Sequence, residues 1–161
     1  MGSLSLRSFR LTASVHPKVK DAFSGKGGLH GAGRWHSRGS LVVYASQSIA
    51  LAYLEILAHF ASDDPVIDLL LFEIEIPDSL VRTLAQAPRG WDSRPASPIS
   101  QKLGDEWLRS KESAALRVPS VIVSSEWNVL INPSHPAFSL RWAVGPRPFP
   151  HDPRLSKKAG D

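Results

Sequence analysis

The sequence predicts a single α+β domain in which short strands outnumber long helices. Three observations carry that expectation. The 161 residues, 42% of them hydrophobic, can build one core but have none to spare for a second. Several runs, among them "SLVVYAS" and "VIDLLLFEIEIP", have the β-branched content or the alternation of strands. Only two runs, one leading up to residue 60 and one at 98–113, have the composition of sizeable helices.

Taken in order, residues 5–11 read as a first strand, followed by the glycine-rich, turn-forming loop "SGKGGLHGAG". Residues 40–46 form a second strand, and Ser46 or Ser48 caps the helix after it. In "VIDLLLFEIEIP", Phe72, Ile74 and Ile76 share one face and Glu73 and Glu75 the other, as in a half-buried strand ending at Pro77. Residues 86–100, rich in proline, serine and arginine around Trp91, form a long loop of the kind that carries function or moves. A helix from Pro98 covers the sheet with Leu103 and Trp107. "VPSVIVSS" and "EWNVLINP" read as two strands joined by a tight turn at Ser124 to Glu126, and "RPFPHDPRL" as an irregular edge segment.

Composition removes several classes of function. No apolar run reaches the roughly 18 residues of a membrane span, because Glu55, Asp68, Glu73 and Glu75 interrupt the greasiest stretches. The N-terminus shows no apolar core followed by a cleavage site, and Leu6 stands where a myristoylation signal needs Ser or Thr, so a cytoplasmic product is expected. The absence of cysteine agrees with a reducing compartment and removes disulfides, thiolate nucleophiles and cysteine-ligated zinc. Histidines at metal-ligand spacing, "HExxH" and "GxSxG" are all missing, so no metal and no serine triad is expected. Lys26 is followed by glycine rather than Ser or Thr, which rejects a triphosphate loop. The net charge of +4 is scattered, apart from "RLSKK", and argues against a dedicated nucleic-acid groove.

Glu55 stands between Leu54 and Ile56 in an otherwise apolar helix. A carboxylate there is paired at the helix rim, the bland reading, or it belongs to an active site. Arg34, just after the glycine loop, and Tyr44, at the end of the second strand, are each weak evidence alone. With Glu55 they make an anion binder, an aromatic platform and a carboxylate, a set suited to a nucleotide with a pyrophosphate, a flat base and a ribose.

The stretch "GRWHSRGSLVVYASQSIALAYLEILAH" resembles the motif of the RES-domain toxins, the toxic halves of RES–Xre toxin–antitoxin modules. Arg34 matches the family's arginine, Tyr44 its tyrosine, Glu55 its glutamate and Ser120, in "VPSVIV", its serine. "NVLINPSHPAF" and "DPRL" extend the resemblance over most of the chain; Val129, where many relatives carry an aromatic residue, and Ser124-Ser125, in place of a proline-containing turn, depart from it. The resemblance implies one RES domain over residues 1–161. Its implied fold is like that of the ADP-ribosyltransferases, a mixed, split β-sheet with flanking helices and NAD+ in the cleft. It also implies a toxin that cleaves the nicotinamide–ribose bond of NAD+ and passes ADP-ribose to phosphate, water or a protein, neutralised by an Xre-type helix-turn-helix antitoxin.

Residue chemistry fits that activity. Nicotinamide departs as a neutral group through an oxocarbenium-like state, so a carboxylate such as Glu55 either stabilises the growing positive charge or holds the ribose hydroxyls. Tyr44 would stack on nicotinamide, Arg34 would bind phosphate, Ser120 would hydrogen-bond the carboxamide or a ribose, and Trp35 and His36 would line the cleft. Without the resemblance, Ser120 is simply a serine at a strand start. The competing class, a non-enzymatic or nucleic-acid-acting basic module, predicts salt-sensitive polyanion binding and indifference to Glu55.

Overall fold

A computed structural model of the chain describes residues 4–15, 17–59 and 68–155. The expectations for the "RLSKK" tail and for Phe60 at the end of the first long helix fall largely or wholly outside them. Seven strands form one sheet: β1 (Ser5–Ala13), β2 (Val43–Ser46), β3 (Leu69–Pro77), β4 (Val81–Thr83), β5 (Ala115–Pro119), β6 (Trp127–Ile131) and β7 (Ala143–Phe149), in the spatial order β4-β5-β6-β2-β1-β3-β7. β4 and β5 run parallel and every other pair is antiparallel, which makes the sheet mixed. It is also split. β1 and β3 pair along their whole lengths, whereas β1 meets β2 at the single register Phe9↔Ser46.

Among the described residues four α-helices accompany the sheet: α1 (Val19–Ala22), α2 (Gly27–His30), α3 (Ile49–His59) and α4 (Pro98–Ser110). The loop expected after β1 thus holds two short helical turns. Strand alternation sorts the core into faces. Phe72, Ile74 and Ile76 of β3 join Val43, Ala45, Val129 and Ile131 in one cluster with Phe23. On the opposite face Leu11, Leu69 and Leu71 pack with Ala52 of α3, while Leu116, Val118 and Leu130 pack with Trp107 of α4. Two helices therefore cover two ends of one face, and the middle strands β2 and β6 lie between them.

Local chemistry explains where the elements begin. The Ser48 hydroxyl accepts from the Leu51 amide at the start of α3, and the Ser97 hydroxyl accepts from the Ile99 amide at the start of α4, with Pro98 as its first residue. Gly104 lets α4 touch the chain before β2, because a Cβ there would lie 1.6 Å from the Trp35 carbonyl oxygen. β5 differs from expectation: the strand is Ala115–Pro119, and the apolar run "VIV" after it is a turn. The Ser120 hydroxyl accepts from the amides of Ile122 and Val123, both at 3.1 Å, and so takes groups that a ladder would have used. The proline-rich end is an edge strand as far as Phe149, paired to β3 with an irregular register between Leu71 and Glu73.

Candidate active site

Glu55 lies one turn beyond Leu51 and Ala52, the buried stripe of α3, and so looks toward the sheet. Its Oε1 accepts two hydrogen bonds, from the Ser120 hydroxyl at 2.9 Å and from Nδ2 of Asn128 at 2.5 Å. Asn128 is oriented in turn by the Ser46 hydroxyl, which donates to its Oδ1 at 2.7 Å. Oε2 has no donor among the described residues. The carboxylate is thus pinned through one oxygen and presents the other. Ser120 is fully buried and uses its hydroxyl in both senses, accepting from the turn and donating to Glu55. His59, the polar neighbour on the helix, bonds the Glu55 backbone carbonyl and not the carboxylate.

Tyr44 and Ser46 are two residues apart on β2 and face the same way, and the register Ser46↔Asn128 and Tyr44↔Leu130 sets Tyr44 on the strip of sheet below Glu55. Its hydroxyl lies 2.7 Å from Nδ1 of His36 and accepts from the Trp35 amide at 3.2 Å. Burial pushes the Tyr44 hydroxyl well above the usual phenol range; the Trp35 hydrogen bond opposes this, and the charges of Asp105, Arg34 and Glu55 all reach it. Its backbone carbonyl is held from the other side by Arg10, whose guanidinium also bonds the Ala22 carbonyl. Burial draws the Arg10 guanidinium down to about 10.

Arg34 places one nitrogen, Nη1, on two carbonyls of the long loop, Trp91 at 2.8 Å and Ser93 at 2.9 Å. The Nε and Nη2 edge has no partner among the described residues. Trp35 is buried in the core and stacks on Trp91 with ring centres 5.7 Å apart, so the loop is held by both neighbours. His36 is also buried. The structure therefore gathers Tyr44, Glu55 and Ser120 around β2 and β6 and brings the charge of Arg34 within reach of Tyr44, while the Trp35 ring and the His36 imidazole sit behind them. Among the described residues no group of three or more His, Asp or Glu stands close enough to hold a metal ion, and no helix is long and apolar enough to cross a membrane.

Sequence reasoning passed over Asn128 and took Ser46 only as a candidate helix cap, a place that Ser48 fills. Both could have been found by phase: Asn128 alternates with the apolar Leu130 on one face of β6, and Ser46 follows Tyr44 by two on β2. A polar side chain on the covered face of a strand needs a partner.

A mixed, split sheet with a carboxylate pinned by Ser120 and Asn128, and a half-buried tyrosine on the same face, defines an α+β protein with a polar site. Comparison with known proteins then gives its kinship. Residues 7–152 match the family model described as the RES domain, and the chain belongs to that family. It is 39% identical over 156 residues to the Prs ADP-ribosylating toxin of Sphingobium sp., covering 94% of this chain and 97% of that protein. Toxin Res of Yersinia enterocolitica is 38% identical over 140 residues, or 85% of this chain and 92% of the relative. The fold is also that of a chain in the crystal structure of the M. tuberculosis MbcT–MbcA toxin–antitoxin complex, with a TM-score of 0.62 at 17% identity over 80% of this chain and 74% of that one.

Proposed function

We propose that the protein is the toxin of a toxin–antitoxin pair, and that it cleaves the nicotinamide–ribose bond of NAD+ and transfers ADP-ribose to phosphate, water or a protein. The observation that carries this reading is the asymmetry of Glu55, with Oε1 fixed by Ser120 and Asn128 and Oε2 left to the site. A carboxylate held in this way meets developing positive charge without first reorganising. The resemblance of the whole chain to an ADP-ribosylating toxin supports the same choice of substrate.

In the proposed reaction the bond between the ribose anomeric carbon and the ring nitrogen of nicotinamide breaks, and its electron pair leaves with nicotinamide, now neutral. Positive charge spreads over the anomeric carbon and the ribose ring oxygen, where Glu55 Oε2 stabilises it. An oxygen of the acceptor then forms the new bond, and a hydroxyl acceptor loses its proton to solvent. Tyr44 supplies a ring face for nicotinamide, and Arg34 offers its Nε and Nη2 edge to the pyrophosphate. Ser120 acts through Glu55, because its hydroxyl is already committed there. An Xre-type helix-turn-helix antitoxin would occlude the site in the cytoplasm until it is removed.

The test is incubation of the purified protein with NAD+, with and without phosphate and with and without cell lysate, followed by identification of the products. Free nicotinamide is expected in equal amount to ADP-ribose, its phosphate adduct or ADP-ribosylated protein. Intact NAD+ under all conditions, together with salt-sensitive binding to polyanions that ignores Glu55, would favour a basic binding module instead.

A further inference from the structure

We infer that His36 is a positioning residue that fixes the Tyr44 ring in the site, and that Gly33 and Gly28 leave the space its imidazole occupies. The inference rests on the reading of Tyr44 as the platform for nicotinamide. Nε2 of His36 lies 2.9 Å from the Gly31 carbonyl oxygen, which can only accept. In the neutral ring Nε2 therefore carries the proton and Nδ1 offers its lone pair, an assignment made from the partners. The Tyr44 hydroxyl then donates to Nδ1 at 2.7 Å while its oxygen accepts from the Trp35 amide. One donor and one acceptor function of the hydroxyl are thus committed within the protein, leaving the ring for a ligand.

The space around this pair is built to measure. A Cβ on Gly33 would lie 2.7 Å from both His36 Cε1 and the Tyr44 hydroxyl oxygen, and a Cβ on Gly28 would lie 3.3 Å from His36 Nε2 and 2.1 Å from the Ser40 carbonyl oxygen. The ring itself is buried. A histidine enclosed in this way cannot touch a substrate, so its effect must pass through Tyr44. This gives Gly28 and Gly33 of the glycine-rich loop a role that does not involve phosphate.

Two amide substitutions separate the two ends of the imidazole. His36→Asn keeps an acceptor at the position of Nδ1 and loses the bond to Gly31; His36→Gln reaches the Gly31 carbonyl and leaves the Nδ1 position empty. Steady-state turnover of NAD+ and the thermal midpoint are measured for both, for Tyr44→Phe and for His36→Gln combined with Tyr44→Phe. The expected result is His36→Asn within about threefold of wild type, and His36→Gln and Tyr44→Phe each reduced about tenfold or more in kcat/KM, since ångström-scale misplacement costs up to about 10²-fold. The double variant should be no worse than the poorer single one. Long-range nitrogen–proton NMR of the imidazole, which needs no activity, should find the proton on Nε2 and a change at Nδ1 in Tyr44→Phe. His36→Gln equal to wild type, His36→Asn no better than His36→Gln, additive losses, or a proton on Nδ1 would each overturn the inference. A wild type that shows the expected imidazole spectrum and leaves NAD+ intact would sink the proposed function and keep the contact between His36 and Tyr44.

Discussion

At the scale of single residues, the Glu55 oxygen that Ser120 and Asn128 share sets two graded expectations. A hydrogen bond to a charged group contributes about 1.5–3 kcal/mol, so Asn128→Ala should lower turnover of NAD+ about tenfold or more with a smaller change in KM. Ser46→Ala removes only the bond that orients the Asn128 amide and should cost less. Steady-state kinetics on the two variants check the order, and a larger loss for Ser46→Ala would contradict it. Tyr44 gives a prediction in pH. Burial raises its hydroxyl above the ordinary value of 10.0. The unfolded chain therefore loses this proton first, and the stability Tyr44 contributes is present below about pH 10 and declines above it, by at most about 1.4 kcal/mol per pH unit. Urea denaturation between pH 9 and about 11 should show a downward slope that Tyr44→Phe reduces; equal slopes would argue against a desolvated phenol. Arg34, Tyr44, Glu55 and Ser120 stood out in the sequence because their types and order carry a motif. Asn128 and Ser46 did not, because their importance comes from pairing between β2 and β6, which one strand alone does not display.

At the scale of elements, the long helices were legible by their composition and β3 by its alternation, and Phe72, Ile74 and Ile76 do share the buried face. β5 was misplaced because "VIV" has strand composition while the Ser120 hydroxyl takes two of its amides for a turn, and side-chain competition of that kind does not show in apolar patterning. β4, only three residues long, carries too little pattern to be seen. The seat of α4 makes a sharp test. Gly104→Ala puts a methyl group into the Trp35 carbonyl and should destabilise by about 3 kcal/mol or more, whereas Gly27→Ala, with nothing within 4 Å, should stay within about 1 kcal/mol of wild type. Thermal or urea unfolding of the pair measures the difference, and similar midpoints would mean that α4 does not sit directly on the Trp35 backbone. The loop expected at 86–100 ends at the Ser97 cap, and its tie to Arg34 was not legible, because backbone carbonyls leave no trace in side-chain identity.

At the scale of the whole molecule, the mixed sheet changes partner completeness at the β1–β2 junction, and the polar site lies beside that junction, where Ser46 pairs with Phe9 on one side and with Asn128 on the other. The fold class could be anticipated from the count of short strands; the split was expected only through the resemblance to a family, because it depends on a register that the assembled sheet displays. The modest, scattered charge of +4 is consistent with a protein that acts through a site and not through a charged face. Expression of the chain alone should arrest growth and lower cellular NAD+, and expression with a cognate antitoxin should restore both; unchanged growth and NAD+ from well-expressed protein would contradict a toxin of this kind. The most direct measurement of the central claim is turnover by Glu55→Gln, which retains the shape of the side chain and removes its charge. If Glu55 stabilises the oxocarbenium-like state, turnover falls about 10²-fold or more while NAD+ affinity changes far less, because the charge it meets develops only as the bond breaks. The thermal midpoint should hold or rise, since a partly buried charge has become an amide. Turnover within about threefold of wild type, far short of the loss expected for a preorganised electrostatic group, would reduce Glu55 to a structural residue.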